Sequence, residues 1–81
     1  MKQQDIISNE DMNREFKGTN FGGLDNRHIL NMAVLKCASG YYQGYTSKTI
    51  AENLGLISKT YDLTKKGRAY LWEAFRDGSS F

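Results

Sequence analysis

Two side chains in this sequence are of the types most often found in catalytic and metal sites: one histidine, His28, and one cysteine, Cys37. A nucleophile needs a base within hydrogen-bond reach, and a metal needs several ligands converging on one point. His28 and Cys37 fall on one helical stretch, too far apart along it to share a metal, and read instead as a polar helix start and a small buried thiol. The chain offers no Ser-His-Asp arrangement and no carboxylate pair in an apolar setting. Gly18, Gly22 and Gly23 do not link a strand to a helix, so they make no phosphate-cradling loop. These residues point away from an enzyme and call for no metal or cofactor.

The chemistry that remains is that of binding. Tyr41, Tyr42 and Tyr45 form a tight aromatic turn, whose rings can cover a core edge with their hydroxyls wet, or whose hydroxyls or rings can reach a phosphate or an unstacked base. Charge is unevenly spread. Residues 1–25 hold three basic and five acidic side chains, a net of −2, whereas residues 26–76 hold eight basic and three acidic, a net of +5. A basic unit of this size tilts the odds toward a polyanionic partner.

Eighty-one residues form one domain with one core. A lone cysteine leaves packing alone to hold the fold. The longest unbroken apolar run is four residues, 32–35, and the N-terminus is polar, so neither a membrane span nor a signal peptide is expected; a soluble cytoplasmic protein is. Residues 1–24 read as a partly flexible arm with a short helix over residues 9–16, capped by Ser8 or Asn9. Asp25 caps a helix that is apolar on most sides and closes at Gly40, which makes it the central element of the core. Thr46 caps a short helix ending at Gly55, where a left-handed glycine would let Leu56 fold back. Residues 56–58 and 61–63 are expected to pair as a small hairpin with Lys59 and Thr60 at its tip. Thr64 caps a last helix to about Arg76, whose Arg68 stem, Leu71, Trp72 and Phe75 form the stripe that packs, with Gly67 allowing close backbone approach. Residues 78–81 are a tail.

Within residues 50–75 the run Gly55-Leu56-Ile57, followed by Tyr61, then Leu63-Thr64-x-x-Gly67-Arg68 and Tyr70-Leu71, resembles the second half of a winged helix-turn-helix domain. Three residues separate Ile57 from Tyr61, so any wing is short. An alternative alignment makes residues 50–55 the first helix of an ordinary helix-turn-helix; Gly67 and the alternation at residues 61–63 favour the winged version. The expected fold is therefore mainly α with a small β-hairpin, a winged helix-turn-helix-like single domain over residues 25–77.

That resemblance implies a small DNA-binding transcriptional regulator of double-stranded DNA. Ser47, Lys48, Thr49 and Asn53 would face the major groove, while Lys59, Thr60, Lys65 and Lys66 would hold phosphates. Phe16 and Phe21 of the arm could supply homodimer contacts. The competing function is a protein-binding module, a small accessory or inhibitor protein docking on a larger enzyme through Tyr41, Tyr42 and Tyr45. One exposed apolar patch of Tyr41, Tyr42, Tyr45 and Trp72 away from the lysines would favour protein; burial of those rings, with Lys48, Lys59, Lys65 and Lys66 on one face, would favour DNA.

Overall fold

The computed structural model describes residues 2–19, 25–40 and 45–77 of the chain. Five helices follow in order: α1 (Gln3–Ile6), α2 (Asn9–Phe16), α3 (Asn26–Ser39), α4 (Tyr45–Asn53) and α5 (Lys65–Asp77). Helix α3 lies at the centre and packs on α2, α4 and α5, while α1 packs on α5. Its middle turn, with Leu30, Ala33 and Val34, is buried on these neighbours, as expected of a helix apolar on most sides.

Local signals set the helix ends. Ser8 Oγ accepts a hydrogen bond from Asp11 N–H at 3.1 Å, satisfying an otherwise orphaned donor of α2. Asp25 occupies the N-cap position of α3, but its side chain makes no capping bond. Gly40 takes the left-handed conformation at φ 77° and ends α3. Helix α4 starts at Tyr45, one residue before the expected cap at Thr46. It ends at Gly55, φ 79°, with Gly55 N–H bonded to Glu52 C=O and Leu56 N–H to Ala51 C=O, both at 2.9 Å. This pair of bonds is a Schellman motif, and it folds Leu56 back into the core, where it is fully buried.

Three expectations are corrected. No wing forms: among the described residues there is no sheet, and the segment between α4 and α5 closes on a single antiparallel bridge, Ile57 with Leu63. The reason lies at Tyr61, whose φ of 66° breaks the extended backbone that a strand requires. The loop is also drawn onto the body, because Cys37 Sγ donates to Tyr61 C=O at 2.7 Å. The described residues form a small all-α globule without the expected hairpin wing.

Residues 2–19 pack into the core and do not trail from it. Ile7, Met12 and Phe16 join the central cluster with Leu30, Val34 and Tyr70. A buried polar network ties the segment down. The Gln3 and Asn31 amides bond reciprocally at 2.8 and 3.3 Å, and Gln3 also donates to Tyr70 C=O at 3.3 Å. Arg27 reaches Ile7 C=O at 3.0 Å and the Tyr70 hydroxyl at 3.2 Å.

Helix α5 is rotated from the expected register. Gly67, Tyr70 and Ala74 face the core and Leu71 is half-buried, whereas Trp72 and Phe75 are exposed. The first turn of α5 presses so closely on Leu56 that the side without a side chain must turn inward. Tyr70, one turn on, then enters the core beside Arg27, leaving Trp72 on the outside.

Candidate functional site

Thr64 fixes the junction from which the basic residues project. Its hydroxyl accepts from Gly67 N–H at 2.9 Å and donates to Gly55 C=O at 2.6 Å, so one side chain caps the start of α5 and satisfies the end of α4. Lys65 and Lys66 open α5 at this junction and are exposed, with the Lys66 stem lying over Gly55. Lys59 and Thr60 are exposed in the loop, and the Thr60 hydroxyl donates to Asp62 at 3.0 Å.

The expected groove-reading residues of α4 are placed differently. Lys48 is inside a local cluster: its ammonium pairs with Glu52 at 3.1 Å and sits 4.8 Å from the centre of the Tyr61 ring, with its side chain 11% exposed. Asn53 is exposed but donates to Glu15 of α2 at 3.1 Å. Ser47 and Thr49 are half-buried. Two of the four side chains are thus held on carboxylates of the chain itself, and those carboxylates, Glu15 and Glu52, would repel phosphates approaching α4.

Among the aromatic residues expected to meet a protein, Phe16 is corrected: at 3% exposure it belongs to the chain's own core. Tyr41, Tyr42 and Phe21, and the side chain of Tyr45, lie outside the described residues.

The aromatic surface that the structure does present is on α5. From Lys65 to Arg76 the outward arc consists of Lys65, Arg68, Ala69, Trp72, Phe75 and Arg76. Trp72 is 65% exposed and Phe75 55%. The one carboxylate in that stretch, Glu73, is turned inward at 7% exposure. Arg68 rests one donor on Leu63 C=O at 3.3 Å. Placing Gly67 against a neighbouring backbone, together with the small Ala74 one helical repeat later, was the sequence signal that could have revealed this face.

A shallow depression of about 410 Å³ lies between α3 and the loop, lined by Cys37, Ala38, Tyr61, Asp62, Leu63 and Arg68. Its chemistry is unpromising for catalysis. Burial, then the charge of Asp62, push the Cys37 thiol above its ordinary range against the opposing field of Lys48. A thiol held protonated and donating to a carbonyl is a poor nucleophile. Among the described residues no cluster of His, Cys, Asp and Glu could hold a metal ion, and no helix is long and apolar enough to cross a membrane.

No family model, curated protein or solved structure matches the chain, so its function rests on this geometry.

Proposed function

We propose that the chain is a non-enzymatic protein-docking module whose contact surface is the outward face of α5. The observation that carries this reading is Trp72, 65% exposed on a 13-residue helix and flanked by arginines. Tryptophan and arginine are the residue types that dominate binding energy when they are desolvated at an interface centre, where removing one costs about 2 kcal/mol or more. A large indole facing water on a helix whose other side is buried gains most from a partner that covers it. A small accessory protein seated on a larger enzyme fits this arrangement.

A photo-crosslinking side chain in place of Trp72, introduced in the protein's native cells, tests the reading. The expected result is one discrete protein adduct, absent when the crosslinker stands at the exposed Ser39. The identified partner should then bind the purified chain at least about tenfold more tightly than it binds Trp72→Ala. Equal labelling from the two positions would overturn the docking surface.

One observation favours the DNA reading as the alternative: Lys59, Lys65 and Lys66 are exposed, and none forms an ion pair with a described residue. Three phosphate contacts would give a log-log salt slope of about −2.7 in a duplex titration. A slope of that size, abolished by Lys65→Glu with Lys66→Glu and unaffected by Trp72→Ala, would replace docking with DNA binding.

A further inference from the structure

We infer that the partner meets α5 through an amphipathic segment whose apolar strip is bordered by aspartate or glutamate, and that a second copy of this chain is not the occupant. This rests on the docking reading above and specifies its partner.

The charge pattern of the face carries the inference. Every charged side chain exposed between Lys65 and Arg76 is cationic. Glu73, which would have balanced them, is buried, and its Oε2 has no hydrogen-bond partner. Its other oxygen lies 3.9 Å from the Arg76 guanidinium, at the outer limit of an ion pair, and the Arg76 side chain stays 64% exposed. The Arg76 fork is thus open to a second carboxylate, the acceptor whose geometry it fits in a bidentate manner. Arg68, with one donor on Leu63, leaves the rest of its fork for the same purpose.

Arg68 and Arg76 stand four residues before and four after Trp72, which places all three in one row on the helix. Two copies crossing antiparallel at Trp72 would set Arg68 of each against Arg76 of the other; a parallel pairing would set like against like. Either arrangement brings cations together around a drying indole, where their repulsion grows as water leaves. An acid-bordered partner reverses the sign of that same term.

Trp72 is the sole tryptophan, so its emission reports the face directly. The probes are three tryptophan-free synthetic amphipathic helices with an identical leucine stripe, flanked by glutamate, by glutamine or by lysine. The expected result is an emission shift to the blue with the glutamate peptide at an affinity at least about tenfold above the glutamine peptide, a ratio that shrinks as salt is raised. The double variant Arg68→Glu, Arg76→Glu, both exposed positions, should transfer the preference to the lysine peptide.

Equal binding of the glutamate and glutamine peptides, lost in Trp72→Ala when followed by the anisotropy of a dye on the peptide, would overturn the acidic preference while leaving the docking surface standing. Failure of all three peptides, with no adduct from position 72 in cells, would remove both. Tighter binding to vesicles of anionic phospholipid or to oligothymidine than to the glutamate peptide would transfer the face to a membrane or a nucleic acid. A concentration-dependent dimer in sedimentation, absent in Trp72→Ala, would make the second copy the occupant and end the inference.

Discussion

The α-carbon of Gly67 stands so close to the Leu56 carbonyl that a β-carbon built there would lie 2.0 Å from the carbonyl oxygen. That oxygen is already engaged, accepting from Thr64 N–H at 3.1 Å. The contact joins the Schellman turn that ends α4 to the first turn of α5, and it determines which side of α5 faces the core. Gly67 is therefore required for lack of a side chain and not for an unusual backbone angle, since its φ is not in the left-handed region.

Gly67→Ala should consequently cost about 3 kcal/mol, the upper part of the usual range for overpacking, because the obstructing atom belongs to backbone and cannot swing aside. Gly40→Ala is the comparison: at φ 77° it is strained but nothing lies within 4 Å of the new methyl, so about 1 kcal/mol is expected. Urea midpoints of the two variants check this. If the two losses were equal, the close approach would not be what holds α5.

The buried amide pair supplies the next test. Asn31→Leu leaves the Gln3 amide buried at 4% exposure without its main partner, which should cost about 2 kcal/mol. Gln3→Met added to Asn31→Leu removes the orphan, and the double variant should be more stable than the single one. Stability that fell additively in the double variant would mean that the two amides do not act as a pair.

Much of this architecture was readable in advance where one residue acts alone through the backbone. Ser8, Gly40, Gly55 and Thr64 each end or start a helix by a local bond or a left-handed angle, and each stands where the chain suggested it. Gly67 likewise marks a close approach. What escaped were relationships between distant residues. The N-terminal segment is anchored through Arg27, Asn31 and Gln3, a polar network that leaves no trace in hydrophobic periodicity. Trp72 and Phe75 drew the expected core stripe toward themselves because they are large and apolar, whereas the inward side is defined by the smaller Gly67 and Ala74. The expected wing failed at one angle, the left-handed Tyr61, which alternation of polar and apolar residues does not encode. Of the expected binding residues, Lys59, Thr60, Lys65 and Lys66 are exposed, while Lys48 and Asn53 are held by acidic neighbours that only the fold brings near.

Alkaline pH should destabilise the chain. Burial raises the Tyr70 hydroxyl above its ordinary range, outweighing the hydrogen bond and charge of Arg27, and burial also raises the Cys37 thiol. Both groups favour their neutral forms in the fold, so the folded state holds its protons where the unfolded chain has begun to lose them. The stabilisation is complete below the unfolded value of cysteine, about 8.5, and is lost progressively as pH rises past it and then past about 10 for tyrosine. Urea midpoints at pH 7.5, 9.5 and 10.5 should fall in that order, and Cys37→Ala should flatten the first interval. A midpoint that rose across the series would contradict this.

Trp72→Ala separates a docking role from a structural one. With the side chain mostly in water and the core side of α5 formed by Gly67, Tyr70 and Ala74, its removal should change folding stability by no more than about 0.5 kcal/mol. Ala74→Leu, one helical repeat beyond Gly67 and fully buried, should cost about 2 kcal/mol by overpacking the same helix from its other side. The pair of urea titrations therefore has to show a near-silent tryptophan beside a sensitive alanine. A loss from Trp72→Ala comparable to that from Ala74→Leu would place the indole in the fold's own packing, and the outward face of α5 would no longer be a surface awaiting a partner.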